Sequence, residues 1–318
     1  MAIRDSATQI TLSIAWKACI CSLFFVTFRF LLCYNKKDTF LWKTENFFFL
    51  QGREKILYGE EIGMAKIIGI INQKGGVGKT TTAVNLSAFL AKHSRKVLIV
   101  DTDSQGNATS GLSMERRRFE PDIYDVMMGN APVEEAIVDT DMKRLFLLPA
   151  SMNLAGAEIE MVGMENRETI LKRILSLVRD KYDYIIIDCP PALGLMTLNV
   201  LTAADSVIIP IQAEFYALEG LSQLVKTIHA VTKNLNPDLE ILGILLTMYD
   251  GRTNLSVQVR DEVTSYFGDT VFKTVIPRSV KLSEAPGFGQ PITLYAPKSK
   301  GGVAYKKLSR EVLKRVEK

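Results

Sequence analysis

Three glycines, two lysines and three consecutive threonines fall within eleven residues, Asn72-Gln73-Lys74-Gly75-Gly76-Val77-Gly78-Lys79-Thr80-Thr81-Thr82. These residue types in this order suit a bound phosphate. Glycines let successive backbone N–H groups turn inward on an anion, Lys79 reaches the β and γ phosphates of a nucleotide, and the Thr80 hydroxyl ligates Mg²⁺ between them. The apolar run Lys66–Ile71 precedes the loop and an amphipathic helical pattern over Lys79–Lys92 follows it, so the positive end of the helix dipole faces the same anion. The pattern G-x-x-x-x-G-K-[ST] is met except at its first glycine, where Gln73 stands, and a second lysine, Lys74, opens the loop.

Carboxylates close two further apolar runs. Asp101 and Asp103 follow Val97–Val100, and Asp188 ends Tyr184-Ile185-Ile186-Ile187. A carboxylate at a strand end can orient water, hold a metal through water, or cap the turn behind it. An apolar strand ending in Asp188 would hold that group rigidly near Mg²⁺. Pro190-Pro191 stiffens the loop after it, and Gly194 gives that loop a turn. Cys189 sits inside this motif and not at disulfide or zinc spacing, and no C-x-x-C or histidine cluster exists. His93 and His229 stand alone, as ordinary helix-surface residues.

From Met64 to the C-terminus, K-G-G-V-G-K-T, Asp101-Thr102-Asp103-Ser104-Gln105-Gly106-Asn107 and Asp188-Cys189-Pro190-Pro191-Ala192-Leu193-Gly194 resemble the ParA/MinD superfamily with its deviant Walker A loop. Within it they resemble the Soj branch of ParA, the chromosome- and plasmid-partition ATPases. The resemblance implies that Lys74 crosses a dimer interface to the partner's nucleotide, and that with Lys79 and Asp103, which positions the attacking water, it forms the catalytic set. Nucleotide contacts are then expected from Lys74, Gly75, Gly76, Val77, Gly78, Lys79, Thr80 and Thr81, with Pro277 and Ser279 beside the adenine. Thr80 and Asp188 would hold Mg²⁺. Gln105 and Asn107 would support the site or the dimer. Arg252 and Lys281 would bind DNA without sequence preference; lysine at 281 keeps the charge that a phosphate needs while lacking arginine's planar fork.

The same resemblance implies ATP and Mg²⁺ as cofactors. The partners it implies are a second copy in an ATP-dependent sandwich dimer, non-specific DNA, and a ParB-type centromere-binding protein that accelerates slow hydrolysis. It places the protein in the cytoplasm, on the nucleoid. Two positions depart from the family: Ser104 stands where many relatives have proline, and Ser279 where they often have asparagine. A MinD-like membrane-cycling ATPase would share the whole ATP site and differ in a C-terminal amphipathic helix. Tyr305–Lys318 carries Leu308, Val312, Leu313 and Val316 among basic residues but no Phe or Trp, and fits a helix docked on the core equally well. An iron-cluster ATPase needs two cluster cysteines per subunit, and Met64 onward offers Cys189 alone.

Positioning these groups requires strands that deliver them to one edge. Apolar runs at Ile67–Asn72, Val97–Asp101, Arg144–Pro149, Tyr184–Asp188, Ser206–Ile211, Ile241–Met248 and Thr270–Ile276 read as strands covered on both faces. Helical patterns lie between them, notably Glu168–Val178, Leu218–Lys233, Leu255–Phe267 and Tyr305–Val316. The alternation predicts an α/β fold of the P-loop NTPase type, with a doubly wound, mostly parallel sheet and helices on both faces. Ligands of such sheets bind at the carboxyl ends of the strands, where the motifs fall.

The 318 residues are 47% apolar, enough for a sizeable core, and a formal charge of +4 is too mild to argue for nucleic acid without a local patch. Composition shifts near residue 64: the first 63 residues hold both tryptophans, eight of the 15 phenylalanines and three of the four cysteines. The apolar segment Ile10–Tyr34 is interrupted by Lys17 and Arg29, short of the ~20 residues of a membrane span, so no membrane partner is expected. Residues 1–63 are therefore expected to be a Phe-rich extension outside the ATPase domain of residues 64–318. Gly59-Glu60-Glu61-Ile62-Gly63 is encodable as a ribosome-binding site, which points to translation beginning at Met64.

Overall fold

The computed structural model describes residues 64–112, 119–214 and 217–317, and the backbone of three strands near the N-terminus. Those strands, β1 (Leu31–Asn35), β2 (Thr39–Thr44) and β3 (Phe47–Leu50), form an antiparallel sheet of their own within a unit spanning Met1–Glu61. Apart from them, the expected extension lies outside the described residues.

The second unit, Ile62–Lys318, holds a seven-stranded sheet in the order β10-β9-β4-β8-β5-β7-β6. Its strands are β4 (Lys66–Ile70), β5 (Val97–Asp101), β6 (Val138–Asp139), β7 (Leu145–Leu148), β8 (Tyr184–Asp188), β9 (Ser206–Gln212) and β10 (Glu240–Thr247). All neighbours pair in parallel except the two-residue edge strand β6, which runs antiparallel to β7. β5 and β8 are buried along their whole length, as a sheet with two covered faces requires. The longer helices are α1 (Lys79–Lys92), α2 (Ile123–Met128), α3 (Leu154–Glu160), α4 (Ile170–Ser176), α5 (Leu195–Ala203), α6 (Ala217–Asn234), α7 (Asn254–Phe267) and α8 (Lys300–Val316). The doubly wound α/β sheet expected from the alternation is the fold observed.

Topology brings the carboxylates together. The chain leaves β4 through α1 and returns at β5, two places away, and β8 later fills the gap. Asp101 and Asp188 thereby become direct register partners at the carboxyl ends of β5 and β8. α1 departs from the amphipathic expectation, since eleven of its residues from Lys79 to Ala91 are buried. The cause is α8, which lies across it: Tyr305, Leu308 and Val312 of α8 are at most 1% exposed, and the Tyr305 hydroxyl meets Thr82 Oγ1 at 3.1 Å.

The segment Thr270–Ile276, expected as a strand, makes only isolated bridges, Ile244 with Val271 and Tyr249 with Pro277. The N–H groups of Phe272 and Ile276 still donate to the carbonyls of Ile244 (2.9 Å) and Leu246 (2.8 Å) in β10, while side chains of α8 take neighbouring backbone groups. Glu311 accepts the N–H of Lys273 (2.8 Å) and of Thr274 (3.0 Å), while Arg315 donates to the carbonyls of Thr270 (3.1 Å) and Val271 (2.9 Å). Burial alone would raise the Glu311 carboxyl, but these N–H groups and the Arg315 guanidinium hold it below its ordinary value. A carboxylate whose folded pKa is depressed stabilises the fold above its unfolded pKa, and that stabilisation fades as pH falls through the folded one. Glu311→Gln is expected to cost about 1.5–3 kcal/mol at pH 7. In urea unfolding the difference from wild type should shrink as pH is lowered below the ordinary glutamate range.

Candidate nucleotide site

The loop after β4 is closed by glycine where the backbone demands it. Gly76 (φ 74°) and Gly78 (φ 88°) sit in the left-handed region, where a side chain is strained, and Gly78 caps α1. Asn72 shapes the entrance: its Oδ1 accepts the Lys74 N–H (2.9 Å) and its Nδ2 donates to the Pro210 carbonyl of β9 (2.7 Å). Thr247, at the end of β10, holds the far side by donating to the Val77 carbonyl at 2.8 Å. Lys79 folds back over the loop, its Nζ donating to the Lys74 carbonyl at 3.1 Å.

A cavity of about 430 Å³ opens on this loop. Gly75, Gly76, Gly78, Lys79, Thr80 and Thr81 line one side, Asp103, Gln105 and Asn107 a second, and Pro191 a third. Val77 is buried behind the loop, and Asp188 lies fully buried beneath it. Pro277 and Ser279 stand outside the lining. The wall is completed instead by Met248, at the end of an expected strand, and by Ala285, Pro286 and Gln290, to which no periodicity or spacing pointed. Met248 adopts a left-handed backbone (φ 49°) just past β10, an unusual conformation for methionine that turns the chain toward the cavity.

The three carboxylates divide their work. Asp101 is consumed by its own turn: Oδ2 accepts the N–H and hydroxyl of Thr109 (both 2.8 Å), and Oδ1 accepts the Asp103 N–H (3.1 Å). Burial pushes its carboxyl up to about 6, against the pull of those donors. These contacts are those of a carboxylate that caps the turn behind it. Asp103 accepts the Gln105 N–H on Oδ1 (3.0 Å) and faces the cavity. Asp188 is different, since both its oxygens are buried and no donor meets them in good hydrogen-bond geometry, although the Thr80 hydroxyl lies close by. Burial and the neighbouring Asp101 charge raise its carboxyl well above its ordinary value, offset in part by the Thr80 hydroxyl and by Lys79.

An orphaned buried carboxylate is costly unless a positive group answers it. Hard oxygen donors beside a phosphate loop, the Thr80 hydroxyl and the Asp188 carboxylate, fit Mg²⁺. Cys189 next to Asp188 is fully buried and its thiol is pushed up to about 12 by burial, which makes it inert as a nucleophile or soft metal ligand.

Lys74 points away from the cavity, its Nζ 2.9 Å from Glu214 at the surface, where both side chains are about half exposed. Arg252 and Lys281 are exposed and internally paired. Arg252 forms a two-pronged contact with Asp250 (2.9 and 2.6 Å) at 89% side-chain exposure. Lys281 meets Glu284 at 2.8 Å beside the Tyr295 ring. An anion binding either cation must compete with a neighbouring carboxylate.

Known proteins resemble this chain in sequence and in fold. The family described as AAA domain matches residues 65–241. The chain is 58% identical over 249 residues to the sporulation initiation inhibitor protein Soj of Bacillus subtilis, covering 78% of this chain and 98% of that protein. It is 52% identical over 267 residues to the chromosome partitioning protein ParA of Myxococcus xanthus, covering 83% and 94%. Among solved structures, the cobyrinic acid a,c-diamide synthase of Mycobacterium smegmatis with bound ADP and magnesium superposes with a TM-score of 0.70 at 38% identity, over 80% of this chain and 96% of that one. The cell division ATPase MinD of Pyrococcus furiosus gives 0.67 at 29% identity, over 79% and 99%. A phosphate loop of this form at the head of this sheet, with identity of that depth over nearly the full length of such relatives, means that the chain belongs to the ParA/Soj family of chromosome-partitioning ATPases.

Proposed function

We propose that the protein is an ATP-driven dimerising switch that binds DNA without sequence preference in its ATP state and releases it on hydrolysis. The observation that carries the reading is the convergence of Lys79, Thr80 and Asp103 on one cavity, with the buried carboxylate of Asp188 beside Thr80 and Lys79. The loop N–H groups and Lys79 hold the β and γ phosphates, and Thr80 and Asp188 hold Mg²⁺. When bound, that ion neutralises phosphate charge during transfer. Asp103 accepts a hydrogen bond from the attacking water and aligns it with the γ phosphorus. Pro277 and Ser279 bear on the adenine from outside the present lining.

Lys74 acts between subunits. Released from Glu214, it reaches the phosphates of the partner's nucleotide and closes the dimer; loss of the γ phosphate removes that contact and the dimer opens. Turnover is slow and is accelerated by a ParB-type centromere-binding protein, and the protein works on the nucleoid. The apolar residues of α8 that a membrane-cycling ATPase would present to lipid, Leu308 and Val312, are buried against the core. Among the described residues no helix is long and apolar enough to cross a membrane.

Arg252 and Lys281 supply the DNA contacts. Two cations from each of two subunits neutralise about four phosphates, giving a slope of log K against log salt near −4. Arg252→Ala is expected to bring the slope to about −2, because each dimer loses two contacts. Co-sedimentation with non-specific DNA, in ATP and in ADP and over a salt series, checks this. Equal binding in both nucleotides would sink the switch, and ATP-dependent binding to anionic liposomes with none to DNA would move the reading to a MinD-like cycle.

A further inference from the structure

Glu158, on α3, touches neither the cavity nor any group assigned above, yet it reaches the loop that follows Asp188. Its Oε1 accepts the Met196 N–H at 2.9 Å, in the first turn of α5. The N-cap of α5 is Gly194, which has no side chain to offer, so the cap comes from a helix 38 residues earlier in the chain. A carboxylate at that position also faces the positive end of the α5 dipole.

A side chain at Gly194 would crowd this contact. Its backbone (φ −92°, ψ −170°) is open to any residue, so the turn expected from sequence does not require it. A Cβ there would lie 2.7 Å from Glu158 Oε1 and 3.1 Å from Oε2, too close for the carboxylate to reach the helix end. The other pins of the loop are local to it. The Thr197 hydroxyl donates to the Ala192 carbonyl and meets Cys189 Sγ at 3.3 Å. Between these pins Pro191 lines the cavity and faces Gly75 of the phosphate loop.

The opposite end of the same segment holds the other loop. Ala150, at the head of the stretch leading into α3, donates its N–H to Thr109 Oγ1 (3.0 Å), the residue that fixes Asp101. Its carbonyl packs on Gly106, three residues after Asp103. Residues 150–158 thus span from the Asp103 loop to the Asp188 loop.

We infer that Glu158 is a positioning residue for hydrolysis, capping α5 so that the Pro190–Gly194 loop keeps a fixed register against the phosphate loop and the Asp103 loop. The inference rests on the cavity being the hydrolysis site. Its test pairs amide hydrogen exchange of the nucleotide-free protein with steady-state ATP turnover, for wild type, Glu158→Ala and Glu158→Gln. In Glu158→Ala the Met196 amide is expected to exchange at least about tenfold faster, through loss of its charge-assisted acceptor. The kcat should fall about 10- to 100-fold with little change in KM, because the loop is displaced while the phosphate cradle is intact. Glu158→Gln keeps an acceptor oxygen and is expected to restore most of both, and melting temperatures of the three proteins should agree closely. Unchanged exchange at Met196 would overturn the inference. So would faster exchange with wild-type kcat, or a loss of turnover that merely follows a loss of folded protein. Wild-type protein without ATP turnover would instead sink the parent reading, and the positioning role with it; wild-type turnover matched by Glu158→Ala would sink the positioning role alone.

Discussion

Lys79→Ala is expected to abolish ATP turnover, with a fall of about a thousandfold and a parallel loss of nucleotide binding. Removing one preorganised charge-stabilising donor costs about 10²- to 10³-fold in comparable sites, and here the ground state loses the same contact. The Lys79 ammonium is fixed before any ligand arrives: the residue is 6% exposed and its Nζ is held on the Lys74 carbonyl at 3.1 Å. Burial lowers its pKa, and the neighbouring Asp188 and Asp103 pull it back toward the charged form. Relieving a buried ammonium costs the fold little, so the melting temperature of the nucleotide-free variant should stay near that of wild type. Titration with a fluorescent ATP analogue alongside turnover checks both halves; near-wild-type hydrolysis by Lys79→Ala would remove this loop from the reaction.

Asp188→Asn should move stability and activity in opposite directions. In the nucleotide-free protein both Asp188 oxygens are buried without a well-formed hydrogen bond, and burial together with the Asp101 charge disfavours the ionised form more than the nearby Thr80 hydroxyl and Lys79 favour it. A neutral isostere relieves that cost, and about 1 kcal/mol of added stability is expected, roughly 2–4 °C in melting temperature for a domain of this size. The same change removes the negative charge that would answer Mg²⁺, so apparent Mg²⁺ affinity in the presence of nucleotide should drop about 10- to 100-fold. Scanning calorimetry without nucleotide and a Mg²⁺ titration of turnover read the two effects separately. A variant both less stable and fully active would mean that Asp188 is a structural carboxylate. The expected pairing, more stable and less active, marks a group kept under strain for its ligand.

These two residues differ in how openly the chain announces them. Lys79 lies in a loop whose whole logic is local, because left-handed torsions at Gly76 and Gly78 and the following helix are all specified within a few residues. Asp188 is legible as the end of an apolar strand, but its lack of a well-formed hydrogen bond appears only when β8 slots between β4 and β5 and sets it beside Asp101. The far wall of the cavity was legible only at Met248, the end of an expected strand. Met248 arrives from the end of β10 and Ala285, Pro286 and Gln290 from one turn much later in the chain, while Pro277 and Ser279, suggested by resemblance, sit off that wall. The segment Thr270–Ile276 has a strand's composition and keeps two N–H contacts with β10, from Phe272 and Ile276, while Glu311 and Arg315 of α8 bind the backbone of the residues between and before them.

By itself the sequence determined the alternation of buried strands and helices, the phosphate loop, and the placement of Asp103 and Asp188 at strand ends. Those features follow from torsional preference and from periodicity, which act between near neighbours along the chain. Only the tertiary structure decided that Thr247 clamps Val77 across 170 residues, that Lys74 rests on Glu214 across 140, and that Glu158 caps a helix 38 residues on. Such pairings depend on which side chains the packed sheet brings within hydrogen-bond reach, and that distance is set by the order of the strands in space, not by their order in the chain.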